Sequence, residues 1–429
     1  MNIQNTTPKT SFTGYDARKL KGFVMNSNYA GIADEMKKIG DIENFKVFLF
    51  EKTPLGLTLK TDSFEPTTSN KGCWAQDSWG IIKDNLLLRE NSDKAEFLKF
   101  VFNLKNNPVQ AKIREKMNYK KLEEYVDILY NMPVITKNGK QVVELPTRQG
   151  VVDIDKAVYD AEFNYNSKMF TELGKQTHIK GGNYFITKGL DGNDEVLIGE
   201  NEIKKFDTDT LKNIFGTDKI HIIPQADYHL DLFIRPLKDK KVLLADDETM
   251  LQTLKDGFNK IQNAVLKAPQ SEREQFRKPF VNMGVYAKGF EKILNNNPYA
   301  PTSKVEKALI EAGYEPIKVP ARLFEIYGDK DYKDKAVLKN FLNFANAHVH
   351  INDKDEIVYI TNKSNLDEKL GLTENIQKVS GFSFEKAFLD AVKDHVDKVY
   401  FVSGKNNAIS EELLPELYGG IHCTGVEIP

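Results

Sequence analysis

The chain has 429 residues, a formal net charge of -2 at pH 7, and 28% charged and 40% hydrophobic residues. This is a globular composition, and it lacks the basic excess that a nucleic-acid partner requires. Two cysteines exclude a disulfide framework and fit a reducing compartment, and no stretch approaches the roughly 18 apolar residues of a membrane span. The sequence therefore predicts a cytoplasmic protein without a nucleic-acid or membrane partner.

From the N-terminus, short apolar strands alternate with an amphipathic helix. The spacing of apolar residues predicts strands at 22–25, 45–50 and 79–82 and a helix at 32–39. Residues 92–133 change to apolar positions three and four apart, which predicts a helical insertion on the surface of the fold.

Strand signals resume after this insertion. A strand is predicted at 150–154, and Asp191-Gly192-Asn193 predicts a hairpin turn between strands at 184–186 and 196–198. Further along the chain, strands are predicted at 219–223, 230–234, 241–244, 317–319, 344–351, 357–360 and 399–402, and helices at 248–266, 303–311 and 384–395.

The alternation of strands and helices predicts an α/β fold. A unit of two or three strands and one helix recurs about five times along the chain. No linker rich in proline, glycine and serine divides the sequence, so residues 19–429 are predicted to form a single domain that follows a polar N-terminal tail, residues 1–18.

A carboxylate lies between the only two tryptophans, in Trp74-Ala-Gln-Asp77-Ser-Trp79-Gly. A buried carboxylate is costly unless it meets a positive charge, and a guanidinium from solvent would supply one. The alternative is an aspartate that caps a turn next to a core tryptophan.

His229-Leu230-Asp231 supplies an imidazole and a second carboxylate. If this segment is extended, His229 and Asp231 lie on the same face of a strand and could share one substrate. The alternative is a pair of solvent-facing polar residues.

Cys423 follows Gly419-Gly420 and His422, six residues from the end of the sequence. Glycines let a ligand approach the backbone closely, and a nearby histidine or cation lowers a thiol pKa. The alternative is a small buried apolar side chain, which is the interpretation we give to Cys73. His422 is not predicted to be the base, because neighbouring strand residues face opposite ways.

Other polar patterns predict structural roles. His348-Val349-His350 could present two ligands on one strand face, but no third ligand has suitable spacing for zinc. No glycine-rich phosphate loop is present. We therefore predict neither a metal site nor a cofactor.

Taken in order, these motifs resemble those of the pentein superfamily of guanidine-modifying enzymes. The resemblance rests on Asp77, then Gly181-Gly182-Asn183, then His229-x-Asp231, then the terminal Gly419-Gly-x-His-Cys423. It spans residues 74 to 423 and implies a five-bladed α/β propeller of ββαβ units with the active site on its axis. It also implies that the catalytic residues are Cys423, His229, Asp231 and Asp77, and that substrate contacts come from Trp74, Gly182, Asn183 and Gly420.

The resemblance favours the peptidylarginine deiminase type, because of the W-x-Q-D form around Asp77. Agmatine and arginine deiminases carry a glutamate before Gly-Gly-Asn, whereas this chain has Lys180. An arginine that binds a substrate carboxylate could be Arg89, Arg148 or Arg235.

The implied reaction is hydrolysis of a peptidyl or blocked arginine to a ureido group and ammonia. Two carboxylates would bind the guanidinium, Cys423 would attack its carbon, and His229 would transfer protons. The alternatives are amidino transfer, deimination of agmatine or free arginine, and a catalytically silent propeller that acts as a binding module.

Overall fold

The computed structural model describes most of the C-terminal half of the chain and parts of the N-terminal half. The described residues are 19–20, 22–26, 30–53, 56–60, 79–82, 85–88, 135–137, 140–142, 144–147, 150–153, 181–204, 207–295, 299–323, 326–327, 336–338, 342–417 and 419–428. The predicted tail at 1–18 and insertion at 92–133 lie outside these ranges.

The fold is α/β with small mixed sheets. The strands are β1 (Gly22–Asn26), β2 (Lys46–Thr53), β3 (Gly56–Lys60), β4 (Trp79–Ile82), β5 (Asn85–Leu88), β6 (Ile135–Lys137), β7 (Lys140–Val142), β8 (Glu144–Thr147), β9 (Gly150–Asp153), β10 (Tyr184–Lys188), β11 (Asp194–Gly199), β12 (Ile220–Ile223), β13 (Ile234–Pro236), β14 (Lys241–Ala245), β15 (Glu315–Val319), β16 (Ile326–Tyr327), β17 (Ala336–Leu338), β18 (Ala347–Ile351), β19 (Ile357–Asn362), β20 (Lys398–Val402) and β21 (Gly425–Ile428). The helices are α1 (Ala30–Glu43), α2 (Glu200–Ile203), α3 (Thr208–Phe215), α4 (Asp247–Lys267), α5 (Arg277–Leu294), α6 (Thr302–Glu311), α7 (Leu366–Leu370), α8 (Glu374–Ser380), α9 (Phe384–Val392), α10 (Leu414–Leu417) and α11 (Ile421–Thr424).

One connectivity recurs in these sheets. In β10–β11–β12, β13–β14–β15 and β18–β19–β20, the first two strands are antiparallel and the third returns parallel to the second after a helical crossover. Four consecutive residues of β14 are buried, so this strand is covered on both faces, which explains its nearly continuous apolar run.

The two ends of the chain form a fourth unit of the same kind. Strand β21 is antiparallel to β1, with Val24 opposite Val426, and β1 is parallel to β2 across helix α1. The C-terminal strand thus takes the place of the first strand of the N-terminal unit, which fixes the segment that carries Cys423.

Helix α4 illustrates how the sequence forms the helical layer. Its buried residues Met250, Leu254, Ile261 and Ala264 recur three, four or seven positions apart on one face. The Asp246 side chain accepts from the backbone N–H of Thr249, which caps the first turn. This face packs into a large apolar cluster with the sheets beneath it.

Most predicted elements are confirmed, but the strand predicted at 230–234 is wrong. Leu230–Leu232 is a 3-10 turn, and strand β13 begins only at Ile234. The backbone N–H of Leu230 donates to the Asn183 side chain at 3.2 Å, and the carbonyl of Leu232 accepts from the Asn343 side chain at 3.1 Å. These contacts satisfy backbone groups that would otherwise need a neighbouring strand.

Two further differences concern the length of one strand and the presence of one helix. The strand predicted at 344–351 begins only at Ala347, because the Asn343 side chain accepts from the backbone N–H groups of Ala345 and Asn346 and holds them in a bend. Helix α5 was not predicted at all. Among the described helices, none has the length and apolar character needed to cross a membrane.

Candidate active site

Two short turns from distant parts of the chain meet at one buried point. Asp231 lies in the 3-10 turn Leu230–Leu232, and Cys423 lies in the single helical turn α11. The Cys423 sulfur, Sγ, lies 3.5 Å from the Asp231 oxygen Oδ2 and donates to it. The structure therefore brings together two predicted site residues that are 192 positions apart in the sequence.

Turn α11 is anchored by two buried asparagine side chains. The N–H of Ile421 donates to Oδ1 of Asn362 at 2.7 Å, and the N–H of His422 donates to Oδ1 of Asn346 at 2.9 Å. A helix leaves its first N–H groups without an intrahelical acceptor, and these amides supply one. A Cβ on Gly420 would lie 2.5–2.7 Å from the two amide groups, so the close approach requires glycine.

The two oxygens of the Asp231 carboxylate have different surroundings. Besides the thiol, Oδ2 accepts from Nδ1 of His422 at 2.9 Å and from Nδ2 of Asn346 at 3.0 Å. Oδ1 is buried and has no hydrogen-bond partner among the residues that the structure describes. Because an unpaired buried acceptor is costly, Oδ1 marks a place where a donor on a ligand would be favoured.

Asp231 is a carboxylate near neutral pH although it is only 1% exposed. Burial raises its pKa, but the hydrogen bond from His422, electrostatic interactions with His422 and His229 and the contact with the Cys423 thiol together hold the pKa below its ordinary value. A Cβ on Gly182 would lie 2.7–2.8 Å from the Asp231 carboxyl atoms, so Gly182 makes room for this side chain.

The half-buried Cys423 thiol is protonated in these surroundings. Burial raises its pKa well above the ordinary value, and the negative charge of Asp231 raises it further. The Gly420 backbone and the Asn346 amide, whose Nδ2 lies 3.4 Å from Sγ, act in the opposite direction. A cation bound beside Asp231 would offset the carboxylate charge and favour the thiolate.

His229 lies next to this pair, at the start of the turn. Its backbone is extended (φ -133°, ψ 150°), and its half-buried ring packs against Tyr228 with a centroid separation of 4.6 Å. Burial raises the pKa of Tyr228, and electrostatic interactions with Cys423 and Asp231 raise it further. Tyr228 therefore belongs to the surroundings of the thiol, and His229 belongs to those of Asp231.

Asn183 positions the turn that carries Asp231. Its Nδ2 donates to Glu202 at 3.0 Å and to Gln225 at 3.1 Å, while its Oδ1 accepts from the N–H of Leu230. Both polar atoms of the Asn183 side chain therefore have hydrogen-bond partners within the protein. Substrate contacts by Asn183, Gly182 and Gly420 stay predictions.

His422 is the site residue that the sequence analysis missed. It was set aside because neighbouring residues on a strand face opposite ways, but Ile421–Thr424 is a helical turn. In this turn both His422 and Cys423 reach Asp231. The Gly-Gly pair before it, which favours a turn over a strand, is the signal that could have found it.

A buried ion-pair network lies behind His422. Nη2 of Arg235 donates to Oε1 of Glu427, and Nδ1 of His348 lies 3.0 Å from the same oxygen. Burial lowers the pKa of His348 to about 4. Arg235 is only 2% exposed and pairs with Glu427 through Nη2, and binding of a substrate carboxylate by Arg235 stays a prediction. Arg89 and Arg148 lie outside the described residues.

This network includes a possible set of metal ligands that the sequence spacing did not predict. His348, His422 and Glu427 each place one ligand atom within 4.8 Å of the others. The Arg235 guanidinium already brings a positive charge to the same Glu427 oxygen, and the His422 nitrogen Nδ1 is bonded to Asp231. We therefore interpret the three residues as a hydrogen-bonding network.

His350 has the structural role that was predicted for it. Its Nδ1 accepts from the N–H of Leu20 at 3.0 Å, and its Nε2 lies 2.9 Å from the carbonyl of Glu43 at the end of α1. Both contacts tie strand β18 to the N-terminal unit.

The predicted residues of the first motif lie outside the described ranges. These are Trp74, Asp77 and the neighbouring Cys73. Lys180, on which the predicted substrate preference depends, also lies outside them. The described part of the site is therefore built from His229, Asp231, His422, Cys423 and Asn346.

No protein-family model and no curated protein matches this chain. Among solved structures, C. jejuni agmatine deiminase is similar in structure to this chain. The match covers 97% of this chain and 96% of the deiminase, with 13% sequence identity and a TM-score of 0.41. A second match is SxtG, an amidinotransferase from Microseira wollei in the saxitoxin biosynthetic pathway. It covers 98% of this chain and 96% of SxtG, with 10% sequence identity and a TM-score of 0.39. What the site can do is decided by its own residues.

Proposed function

We propose that this protein hydrolyses the guanidinium group of an arginine-type substrate through a covalent intermediate on Cys423. The observation that carries this proposal is the open oxygen of Asp231. Oδ1 is buried, ionised with the rest of its carboxylate, and unpaired among the described residues, and the thiol contacts the other oxygen of the same group. A cationic N–H donor beside a thiol is what this arrangement favours.

The Asp231 carboxylate offers a guanidinium one oxygen rather than two. Oδ2 already accepts from His422, Asn346 and Cys423, so one substrate N–H would donate to Oδ1. Asp77 is proposed, from its motif, as the second carboxylate that holds the substrate. The cation between these acids would lower the thiol pKa and generate the nucleophile when substrate is present.

The proposed reaction has two steps. The Cys423 thiolate forms a bond to the guanidinium carbon, His229 gives a proton to one nitrogen, and that C–N bond breaks to release ammonia. Water then attacks the S-linked amidinium carbon, His229 takes a proton from the water, and the C–S bond breaks. One water is consumed, and a ureido group is formed. His422 contacts Asp231 and is proposed to position it.

For the fold, we propose a five-bladed α/β propeller. Four units of the described chain share one connectivity, and the two ends of the chain combine in the fourth. A ring of such units would place the turns that follow or precede their strands around one axis. We also propose a cytoplasmic location, because an active thiol is maintained in a reducing compartment.

The proposed substrate is a peptide-embedded or N-blocked arginine. The support is Lys180, which stands where agmatine and arginine deiminases carry a glutamate, and the W-x-Q-D form around Asp77. A lysine near the distal end of the substrate would repel the free amine of a small substrate. The same groups would serve amidino transfer with an amine in place of water.

Labelling with 2-chloroacetamidine tests the nucleophile and the cation site together. We expect this cationic reagent to alkylate Cys423 about tenfold or more faster than neutral 2-chloroacetamide, because a charged hydrogen bond contributes roughly 1.5–3 kcal/mol. Peptide mass spectrometry separates Cys423 from Cys73, which should react equally with both reagents. Cys423→Ser should abolish turnover and leave the melting temperature unchanged. A protein that shows no saturable labelling at Cys423 would instead be a silent binding module.

The substrate is tested by kcat/KM for a blocked arginine ester, an arginine peptide, free arginine and agmatine. We expect the blocked or peptidyl substrates to lead. If agmatine leads by about tenfold, a difference of roughly 1.4 kcal/mol, the proposed substrate is wrong while the nucleophile stands. Product formation only in the presence of an added amine would identify amidino transfer.

A further inference from the structure

Asn346 contacts both reactive groups of the site with one amide. Its Nδ2 lies 3.0 Å from Oδ2 of Asp231 and 3.4 Å from Sγ of Cys423. The side chain is completely buried. Neither the motifs nor the proposed mechanism assigns it a role.

The orientation of this amide follows from its neighbours. Oδ1 of Asn346 accepts from the backbone N–H of His422 at 2.9 Å, a contact that only the oxygen can make. The NH2 group must therefore face Asp231 and Cys423, and its two hydrogens match these two acceptors.

The backbone of Asn346 is fixed as well. Its N–H donates to Oδ1 of Asn343 at 3.0 Å, and its carbonyl accepts from Nδ2 of Asn362 at 3.0 Å. The amide is thus held at both ends, and aiming it at sulfur needs no rearrangement when the thiolate forms.

We propose that Asn346 is a catalytic residue that joins the Asp231 carboxylate and the Cys423 sulfur into one unit and stabilises the thiolate by donating a hydrogen bond to Sγ. A hydrogen bond to the charged form of a group favours that form. Here the bond opposes both burial and the repulsion between sulfur and the carboxylate. This role rests on the proposed function only in so far as Cys423 is the nucleophile.

Other charged and titratable groups around the thiol also influence its pKa. Burial and the Asp231 charge raise the pKa of Cys423, and Tyr228, which packs against His229, interacts electrostatically with Cys423. His422 acts through Asp231. Behind them lie His348, Glu427 and Arg235. None of these groups changes in the variants that test the proposal.

The test is the pH dependence of Cys423 alkylation by iodoacetamide, followed by peptide mass spectrometry from about pH 6 to 10. In Asn346→Ala we expect the thiol pKa to rise further by about one unit, which appears as an alkylation rate about tenfold slower at each pH below the pKa. Cys73 in the same digests is the internal control, and its profile should not change.

Asn362→Ala is the matched control variant. It removes the other asparagine that anchors turn α11, together with one of the two contacts that fix the Asn346 backbone. The contact of that backbone with Asn343 remains, and Asn362 makes no contact with sulfur among the described hydrogen bonds. We expect its Cys423 profile to stay within a few tenths of a unit of wild type. Equal shifts in both variants would mean that Asn346 only anchors the turn, and would overturn the proposal.

Asn346→Asp serves if the alanine variant does not fold, because it keeps the acceptor for the His422 N–H. It replaces the donor with a carboxylate, so the thiol pKa should rise at least as far as in Asn346→Ala. An unchanged profile overturns the proposal. Because alkylation needs no substrate, a chain that hydrolyses no guanidine but shows the shift would refute the proposed function and retain this role of Asn346.

Discussion

The two oxygens of the Asp231 carboxylate make different contacts. Oδ2 accepts hydrogen bonds from His422, Asn346 and the Cys423 thiol, whereas Oδ1 has no hydrogen-bond partner among the described residues. A carboxylate that served only as a structural acceptor would have both oxygens satisfied, as buried polar groups generally do. The open oxygen therefore supports the proposal that this residue binds a ligand.

Replacing Asp231 with asparagine should reduce kcat/KM for cationic guanidines by about tenfold to a hundredfold or more. The amide keeps the size of the side chain but removes the charge that is proposed to pair with the substrate, and a hydrogen bond to a charged group contributes roughly 1.5–3 kcal/mol. Steady-state kinetics with a blocked arginine, together with thermal melting, measures both consequences.

Asp353→Asn is the matched control. It makes the same change at an exposed carboxylate, which pairs with Lys19 and not with any residue of the site. Its kinetics should equal those of the wild type. Turnover at the wild-type rate in Asp231→Asn would remove Asp231 from the site.

At the scale of elements, the regular strands and helices were predictable and the two site turns were not. Helix α4 and strand β14 are set by periodic apolar residues within their own segments. The turns at 230–232 and 421–424 depend instead on asparagine side chains from elsewhere in the chain, which satisfy their backbone groups. The sequence around each turn does not reveal these distant asparagines, so a strand was predicted where the first turn lies.

A buried ion pair links two sheets behind the site. Arg235 is on strand β13 and Glu427 is on strand β21, and both side chains are almost completely buried. Burial raises the pKa of Glu427, but Arg235 and His348 hold it below its ordinary range. The pair therefore fixes the C-terminal strand against the second unit while both groups stay charged.

Arg235→Met should lower the free energy of unfolding by about 3–5 kcal/mol, because it leaves a buried carboxylate without its cation. The double variant with Glu427→Leu should cost less than the sum of the two single variants, since no unpaired charge remains. Urea unfolding of the three variants gives the coupling energy.

Lys255→Met removes one partner of an exposed pair, Lys255 and Glu291, and is the matched control. It should change the free energy of unfolding by no more than about 1 kcal/mol. Additive costs in the Arg235 and Glu427 variants would contradict a coupled pair.

Across the whole molecule, the order of the motifs carried more information than any single motif. His229-x-Asp231 and Cys423 are each unremarkable in isolation, yet the closing of the chain ends through β1 and β21 brings Cys423 to Asp231. Their proximity depends on pairing between strands some 400 residues apart in sequence, which no local pattern encodes. The contribution of Asn346 was hidden for the same reason, since nothing in its surrounding sequence distinguishes it from the other asparagines of that loop.

Removing residues 425–429 should test how far the fold depends on closing the chain ends. The deletion takes away the neighbour of β1 and the carboxylate partner of Arg235 together. We expect it to lower the free energy of unfolding by more than Glu427→Gln does, and by more than about 3 kcal/mol, which is a large share of the roughly 5–15 kcal/mol typical of a domain. Urea unfolding of the deletion and of Glu427→Gln separates loss of the strand from loss of the charge. If the two proteins unfold at the same urea concentration, β21 contributes no more than its carboxylate, and the N-terminal unit is stable without the strand that closes it.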